Sequence, residues 1–202
     1  MKKVCILDYG SGNVGSVRNL IESLNYDYQI SNDPKIIEKS THIILPGVGA
    51  FGAAMKKVKE KIPIKKLKNE VFEKKKPFLG ICVGMQLMAE KSEEFGKFDG
   101  LGWIEGKVKK IKSKILPHIG WNNIIIKKES KIFDGLNKKS DFYFVNSFHF
   151  NLKNKNLILA ETEYEEKFCS VFQKKNIIGV QFHPEKSQES GKIFIKNFLN
   201  LK

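Results

Sequence analysis

Apolar residues come in short runs along the first half of the chain, and two spacings alternate. Val4-Cys5-Ile6-Leu7, Tyr28–Ser31, His42-Ile43-Ile44-Leu45 and Pro77–Ile81 are compact segments of four or five residues, the length and texture of strands. Between them the spacing lengthens to three and four. Val17, Leu20, Ile21 and Leu24 mark one face of a helix over Val14–Leu24. Asp33-Pro34 opens a short helix by cap chemistry. Phe51–Lys74 is a lysine-rich helical stretch interrupted near Pro63, and Val83–Glu90 reads as the helix after the fourth strand. This βαβα rhythm predicts an α/β fold with a doubly wound, mostly parallel central sheet.

The second half is strand-rich. Ile104-Glu105-Gly106-Lys107-Val108 begins an alternating strand. Ile124–Lys127, Phe142–Ser147, Leu157–Thr162, Phe168–Gln173 and Ile177–Phe182 are further strands. Short turns such as Lys174-Lys175-Asn176 predict antiparallel hairpins added to the same sheet. Ser187–Leu201 closes the chain as a helix, with Ile193, Phe194, Phe198 and Leu201 facing inward. No repeat or linker interrupts the pattern, so residues 1–202 are expected to form a single domain.

At 202 residues, 41% hydrophobic and 29% charged, the chain has the means to build a core, which excludes disorder as the main state. Its net charge of +14 raises nucleic acid as a partner. The detail argues against it, because Arg18 is the single arginine among 36 basic residues. Readers of bases and phosphates lean on arginine's planar fork, whereas these lysines are spread along the whole chain. The runs Lys56-Lys57, Lys65-Lys66 and Lys74-Lys75-Lys76 read as solvated helix faces, and the positive field suits the steering of an acidic partner. Neither nucleic acid nor a membrane is expected as a partner.

Cys5, Cys82 and Cys169 are an odd count at wide spacing, fitting neither a disulfide framework nor a zinc site. With no signal-peptide pattern and no run of 18 apolar residues, the expected location is the reducing cytoplasm.

The sharpest local signal is Gly80-Ile81-Cys82-Val83-Gly84, after a strand and opening a helix. It has the form of a nucleophile elbow with cysteine as the nucleophile. The glycines are needed because side chains there would strike neighbouring backbone on a strained turn. The helix N-terminus favours a thiolate and offers N–H groups to an oxyanion. A buried structural cysteine in a glycine-rich turn is the alternative. A thiolate needs a base, and four histidines are available. His42 starts a strand and is most simply structural; His118 suits a turn or pocket; His149 lies at an aromatic strand end. His183 follows the strand Ile177–Phe182, where an open α/β sheet gathers its active-site groups. Glu185 stands two residues on, across a stiffening proline, placed to orient an imidazole. Pro46-Gly47-Val48-Gly49, at the end of the third strand, is either an oxyanion loop or an ordinary turn.

Together, Leu45-Pro46-Gly47-Val48-Gly49, Gly80–Gln86 and Gln181-Phe182-His183-Pro184-Glu185 resemble the class I (triad) glutamine amidotransferases, over almost the whole chain. Asp8–Asn13, Pro117–Asn122, Tyr143–Ser147 and Pro184-Glu185-Lys186-Ser187 look more narrowly like the branch that serves as glutaminase subunit of imidazole glycerol phosphate synthase. The resemblance implies Cys82 as nucleophile, His183 as base and then acid, and Glu185 as its orienter. It implies Gly47 and Val48 as the oxyanion strand, and Gln86, Ser147 and Phe148 as substrate-binding. Tyr9, Gly12, Asn13 and Lys186 would face a partner. The implied substrate is L-glutamine, the implied partner a (β/α)8 cyclase subunit in a heterodimer, and no metal or organic cofactor is required. The implied pathway is histidine biosynthesis.

One segment departs from that branch. It usually reads Tyr-Phe-Val-His-Ser-Tyr where this chain has Tyr143-Phe144-Val145-Asn146-Ser147-Phe148, with His149 following; position 83 is Val in place of Leu. The triad is untouched, but the ammonia acceptor is left open between the histidine pathway and a surface-polysaccharide synthetase. Gly100-Leu101-Gly102-Trp103-Ile104 and Ser147-Phe148-His149 lean toward the latter, which stands as the alternative to histidine biosynthesis, the first reading. A free-standing cysteine hydrolase on the same scaffold is a further alternative, opposed by Gln86.

Overall fold

The computed structural model describes residues 2–137 and 139–201. In chain order the first half runs β1 (Lys3–Ile6), α1 (Val14–Ser23), β2 (Asp27–Ile30), α2 (Pro34–Lys39), β3 (His42–Gly47), α3 (Phe51–Lys61), α4 (Ile64–Lys68), β4 (Phe78–Cys82) and α5 (Val83–Gln86). The second half adds β5 (Ala89–Ser92), β6 (Phe98–Asp99), β7 (Ile104–Lys110), β8 (His118–Asn123), β9 (Ile125–Ile126), β10 (Asp141–Asn146), β11 (Phe148–Leu152), β12 (Ile158–Tyr164), β13 (Glu166–Lys174), β14 (Ile177–Val180) and α6 (Gln188–Leu199).

Eight strands form the central sheet in the order β2-β1-β3-β4-β14-β13-β12-β9. The first five are parallel and the last three antiparallel. The expected fold class is therefore present. Strands β3, β4 and β14 are buried at every residue, as a parallel core covered on both faces requires. The chain winds from β1 outward to β2, then back past β1 to β3 and β4. That reversal makes a switch point, and the loops after β1 and β3 flank it.

Local chemistry explains several boundaries. The Asp33 side chain accepts from the Lys35 amide at 2.7 Å, with Pro34 in the first turn, so α2 starts where the cap dictates. The helix α3 stops at Lys61, two residues before Pro63. After α4 the chain makes a π-helical turn over Asn69–Glu73. There the buried carboxylate of Glu70 lies 3.0 Å from Lys66 and 2.7 Å from Lys76, so one lysine from each of two runs, expected as solvated faces, pairs with a buried carboxylate.

Four expectations need correction. The helix expected over Val83–Glu90 ends at Gln86, and Ala89–Ser92 is a strand. Leu87, Met88 and Ala89 are wholly buried, leaving no polar face for a surface helix. The strand-rich half does not all join one sheet: β10 pairs with β8, and β11-β7-β5-β6 form a third sheet. His118–Asn123 is a strand rather than a turn. In α6 the inward stripe is Phe194, Ile195, Phe198 and Leu199, with Ile193 and Leu201 only half-buried.

Candidate active site

Cys82 ends β4 with φ +53° and ψ −112°, a left-handed backbone that costs a side chain about 1–3 kcal/mol. The two glycines that make the turn are sterically required. A Cβ on Gly80 would lie 2.6 Å from the Gly84 carbonyl oxygen, and one on Gly84 only 1.9 Å from that of Leu45. The elbow is thus packed against β3, and its cysteine is buried but borders a cavity.

His183 follows β14, the neighbour of β4, so sheet order alone brings it beside the elbow. Its amide donates to the Tyr143 carbonyl at 2.9 Å, and the Ser187 hydroxyl donates to its carbonyl at 2.6 Å. Pro184–Lys186 then makes one tight turn, which returns Glu185 to the ring. The His183 Nδ1 to Glu185 Oε1 distance is 2.7 Å, with both side chains buried. This occupies Nδ1 and leaves Nε2 as the ring nitrogen available to Cys82, which lines the same cavity. Burial opposes a charged imidazole, but the Cys82 sulfur and the Glu185 carboxylate together raise its pKa to about 10. Asn13 Nδ2 donates to the same Glu185 oxygen at 3.1 Å, tying the loop after β1 to the carboxylate.

Gly47 is packed tightly: a Cβ there would lie 2.5 Å from the Gly84 amide nitrogen and 2.7 Å from the Tyr9 hydroxyl. Val48 is exposed, and its amide donates to the Ser11 carbonyl at 3.4 Å. In this conformation that N–H is engaged. Gly49 turns the loop with φ +87°.

Cys82 and His183 open onto a cavity of about 250 Å³ lined also by Gln86, Glu94, Asn146 and Phe148. Ser147 lines it too. Gln86 is 3% exposed, and its Nε2 donates at 3.0 Å both to the Phe148 carbonyl and to Gln181 Oε1. Asn146 Nδ2 donates to that same Phe148 carbonyl at 3.0 Å. The lining contains one carboxylate, Glu94, whose Oε2 accepts from the Phe51 amide at 2.7 Å. Burial raises its pKa.

The structure therefore gathers Cys82, His183, Glu185, Gly47, Val48, Gln86, Ser147 and Phe148 in one place. The interface expectation fares unevenly. Lys186 is exposed, its ammonium 5.6 Å from the centre of the Tyr143 ring. Gly12 is half-buried and Asn13 is turned inward to Glu185. Tyr9, expected to face a partner, is 1% exposed with its hydroxyl under Gly47; burial, then the nearby Cys82 and Asp8, raise its pKa. The other histidines lie apart from the triad. His42 is buried edge-on to Phe198, with its pKa lowered by burial to about 4. His118 stacks between Phe144 and Tyr164, and His149 lies 3.7 Å from Glu166. Asn13, Glu94 and Gln181 were not expected in these roles. Only Gln181 carried a legible signal: it stands two residues before His183 on an extended segment, hence on the same side.

A family model described as "Glutamine amidotransferase class-I" matches residues 5–201. The imidazole glycerol phosphate synthase subunit HisH of Pyrococcus furiosus is 46% identical over 202 residues, covering 100% of both chains. Subunit HisH 2 of Methanococcus maripaludis is 46% identical over 199 residues, covering 97% of this chain and 98% of its own. Among solved structures, PurLQS from Thermotoga maritima matches with a TM-score of 0.78 over 98% of each chain, at 16% identity, a likeness of fold.

Proposed function

Because the chain belongs to the class I glutamine amidotransferases, we propose that it hydrolyses L-glutamine with a Cys82–His183–Glu185 triad and hands the ammonia to a cyclase subunit making imidazole glycerol phosphate. The observation that carries the chemistry is the grouping at the strand ends: Glu185 holds His183 Nδ1 at 2.7 Å, and His183 shares a cavity with Cys82 on its strained turn. The pathway reading rests on the names of the relatives. As a biosynthetic enzyme it would work in the cytoplasm, as one domain.

The reaction follows from the geometry. The Cys82 sulfur attacks the carboxamide carbon, and the charge moves to the carbonyl oxygen. Backbone N–H groups at the start of α5 and on the Gly47-Val48 strand take up that charge, once Val48 has left Ser11. His183, held by the Glu185 carboxylate at Nδ1, gives its proton to the leaving nitrogen. Ammonia departs and a γ-glutamyl thioester remains. Water then adds to the thioester, with His183 taking its proton, and releases glutamate and the thiolate. Glu94 accepts from the substrate's α-ammonium through its second oxygen, and the free carbonyl of Gln86 faces the substrate as an acceptor.

Ammonia that reached bulk water would be protonated, which favours a tight seal at the pocket mouth. Val48, Ile119, Trp121 and Val145 are exposed apolar residues, and Ile119 pairs with Val145 across β8 and β10. With Val48 and Val145 at the cavity rim, this surface suits a docking partner. Lys186 stands on the turn that carries Glu185, next to the triad.

The test is glutamate release by the purified chain alone, with the cyclase from the same source, and with the cyclase plus its phosphoribosyl nucleotide. Cys82→Ala is the blank. Ligand-dependent stimulation supports the proposal. No stimulation of a folded protein points to a sugar-modifying synthetase as acceptor, and full Cys82-dependent turnover without a partner points to a free-standing hydrolase.

A further inference from the structure

The Cys82 sulfur has two polar neighbours outside the triad: the Val145 carbonyl, which accepts from the thiol at 4.0 Å, and Gln181. Gln181 Nε2 lies 3.7 Å from Cys82 Sγ, and Gln181 is 0% exposed. A primary amide can present either its oxygen or its nitrogen, so its orientation must be argued. Here the surrounding bonds decide it. The Phe148 carbonyl is only an acceptor, so Gln86 must turn its NH₂ group toward it, at 3.0 Å. The second hydrogen of that NH₂ then points to Gln181, which answers with its oxygen, also at 3.0 Å. With its oxygen so engaged, Gln181 has only its NH₂ to offer the sulfur. The polarity of a backbone carbonyl is passed through two buried amides and emerges as an N–H donor on Cys82.

The backbone fixes Gln181 equally firmly. It directly follows β14, and its amide donates to the Ser170 carbonyl at 2.9 Å. The extended chain puts Gln181 and His183 on one side, so both meet the sulfur from the same segment. A donor held at a fixed distance favours the charged sulfur over the neutral thiol, and buried donors act strongly because water does not compete.

We propose that Gln181 is a catalytic residue that stabilises the Cys82 thiolate by donating to it, and that Gln86 is a positioning residue that sets which end of Gln181 faces the sulfur. This inference rests on Cys82 being the nucleophile. The ionisable side chains near the sulfur are His183, which lines the cavity with it, and Tyr9, beneath Gly47; Glu185 acts through His183, and Glu94 lines the same cavity.

The experiment is the pH dependence of Cys82 alkylation by iodoacetamide, followed by mass spectrometry of the Cys82 peptide, which separates this cavity-lining cysteine from Cys5 and Cys169. It is run on the full chain, on Gln181→Glu, Gln181→Leu and Gln86→Leu, with circular dichroism to establish folding. Gln181→Glu keeps the shape but puts an acceptor beside the sulfur. Its alkylation midpoint is expected to rise by a unit or more, about a tenfold slower reaction at a pH below both midpoints. Gln181→Leu and Gln86→Leu are expected to move it the same way by less, with kcat for glutamate release falling in both, KM little changed in Gln181→Leu and raised in Gln86→Leu, which also loses its acceptor for the substrate. Unmoved midpoints in folded Gln181 variants overturn the inference while leaving the triad intact. Should Cys82→Ala retain glutaminase activity, the triad itself falls, an outcome the alkylation profile alone would not produce.

Discussion

Replacing Cys82 by alanine and by glycine separates backbone strain from the loss of the thiol. Both variants lack the nucleophile. Alanine keeps a Cβ on a residue at φ +53° and ψ −112°, and glycine removes it. At an unstrained buried position glycine is the less stable of the two. The missing methyl costs about 0.8 kcal/mol. The freer unfolded chain costs about 0.7 kcal/mol more. The strain at this elbow is worth about 1–3 kcal/mol and acts in the opposite direction. The glycine variant is therefore expected to lie between about 0.5 kcal/mol below and about 1.5 kcal/mol above the alanine variant. Unfolding entropy near 2.1 cal/mol/K per residue gives this 202-residue chain roughly 0.42 kcal/mol/K. Differential scanning calorimetry should then place the glycine Tm from about 1 °C below to about 3.5 °C above that of alanine. Without strain, glycine would melt about 3.5 °C lower. A glycine variant 3 °C or more below alanine on that roughly 0.42 kcal/mol/K scale would refute the strained elbow.

Other consequences are equally concrete. Glu185→Gln removes the charge that orients and supports His183, and kcat for glutamate release should fall by roughly 10²–10⁴-fold. The His183 pKa is raised from 6.5 to about 10, so its proton is held below that value and lost above it. The alkaline limb of kcat/KM is expected near pH 10 and should move toward neutrality in Glu185→Gln; a limb that stays put contradicts the pairing. Asn13→Ala deletes a bond to a carboxylate, worth about 1.5 kcal/mol, and should lower kcat about tenfold with KM unchanged. Glu70→Ala removes the buried carboxylate that Lys66 and Lys76 share, while both half-buried lysines keep other partners, and should cost about 1–3 kcal/mol, read as a Tm drop of about 2–7 °C. The Glu70 pKa is lowered because its two lysines outweigh burial, so this stabilisation is present above the ordinary carboxylate range. It fades as acid protonates the group, and the difference between wild type and Glu70→Ala should narrow there.

Much of this protein was legible before any coordinates. The strands β1, β3 and β4, the cap at Asp33 and the hairpin turn before β14 follow from neighbouring residues, because short-range sterics and hydrogen bonds decide them. The elbow belongs to the same class: Gly80 and Gly84 stand in sequence where a Cβ would strike backbone. His183-Pro184-Glu185 is likewise local, since one tight turn brings the carboxylate back to the ring. Tertiary structure decided what depends on partners far along the chain. Leu87–Ala89 left the helix because they are buried on every side and the next residues pair with β7 and β6. Asn13 reached Glu185, and Gln86 reached Gln181, only because β1, β4 and β14 lie in one sheet with their carboxyl ends together. Tyr9, read as a surface residue, went inside because the loops after β1 and β3 meet at the switch point. Sequence spacing carries the constraints a residue meets within a turn or two; which distant polar groups share a buried volume is fixed by strand order, and that order emerges only when the whole core packs.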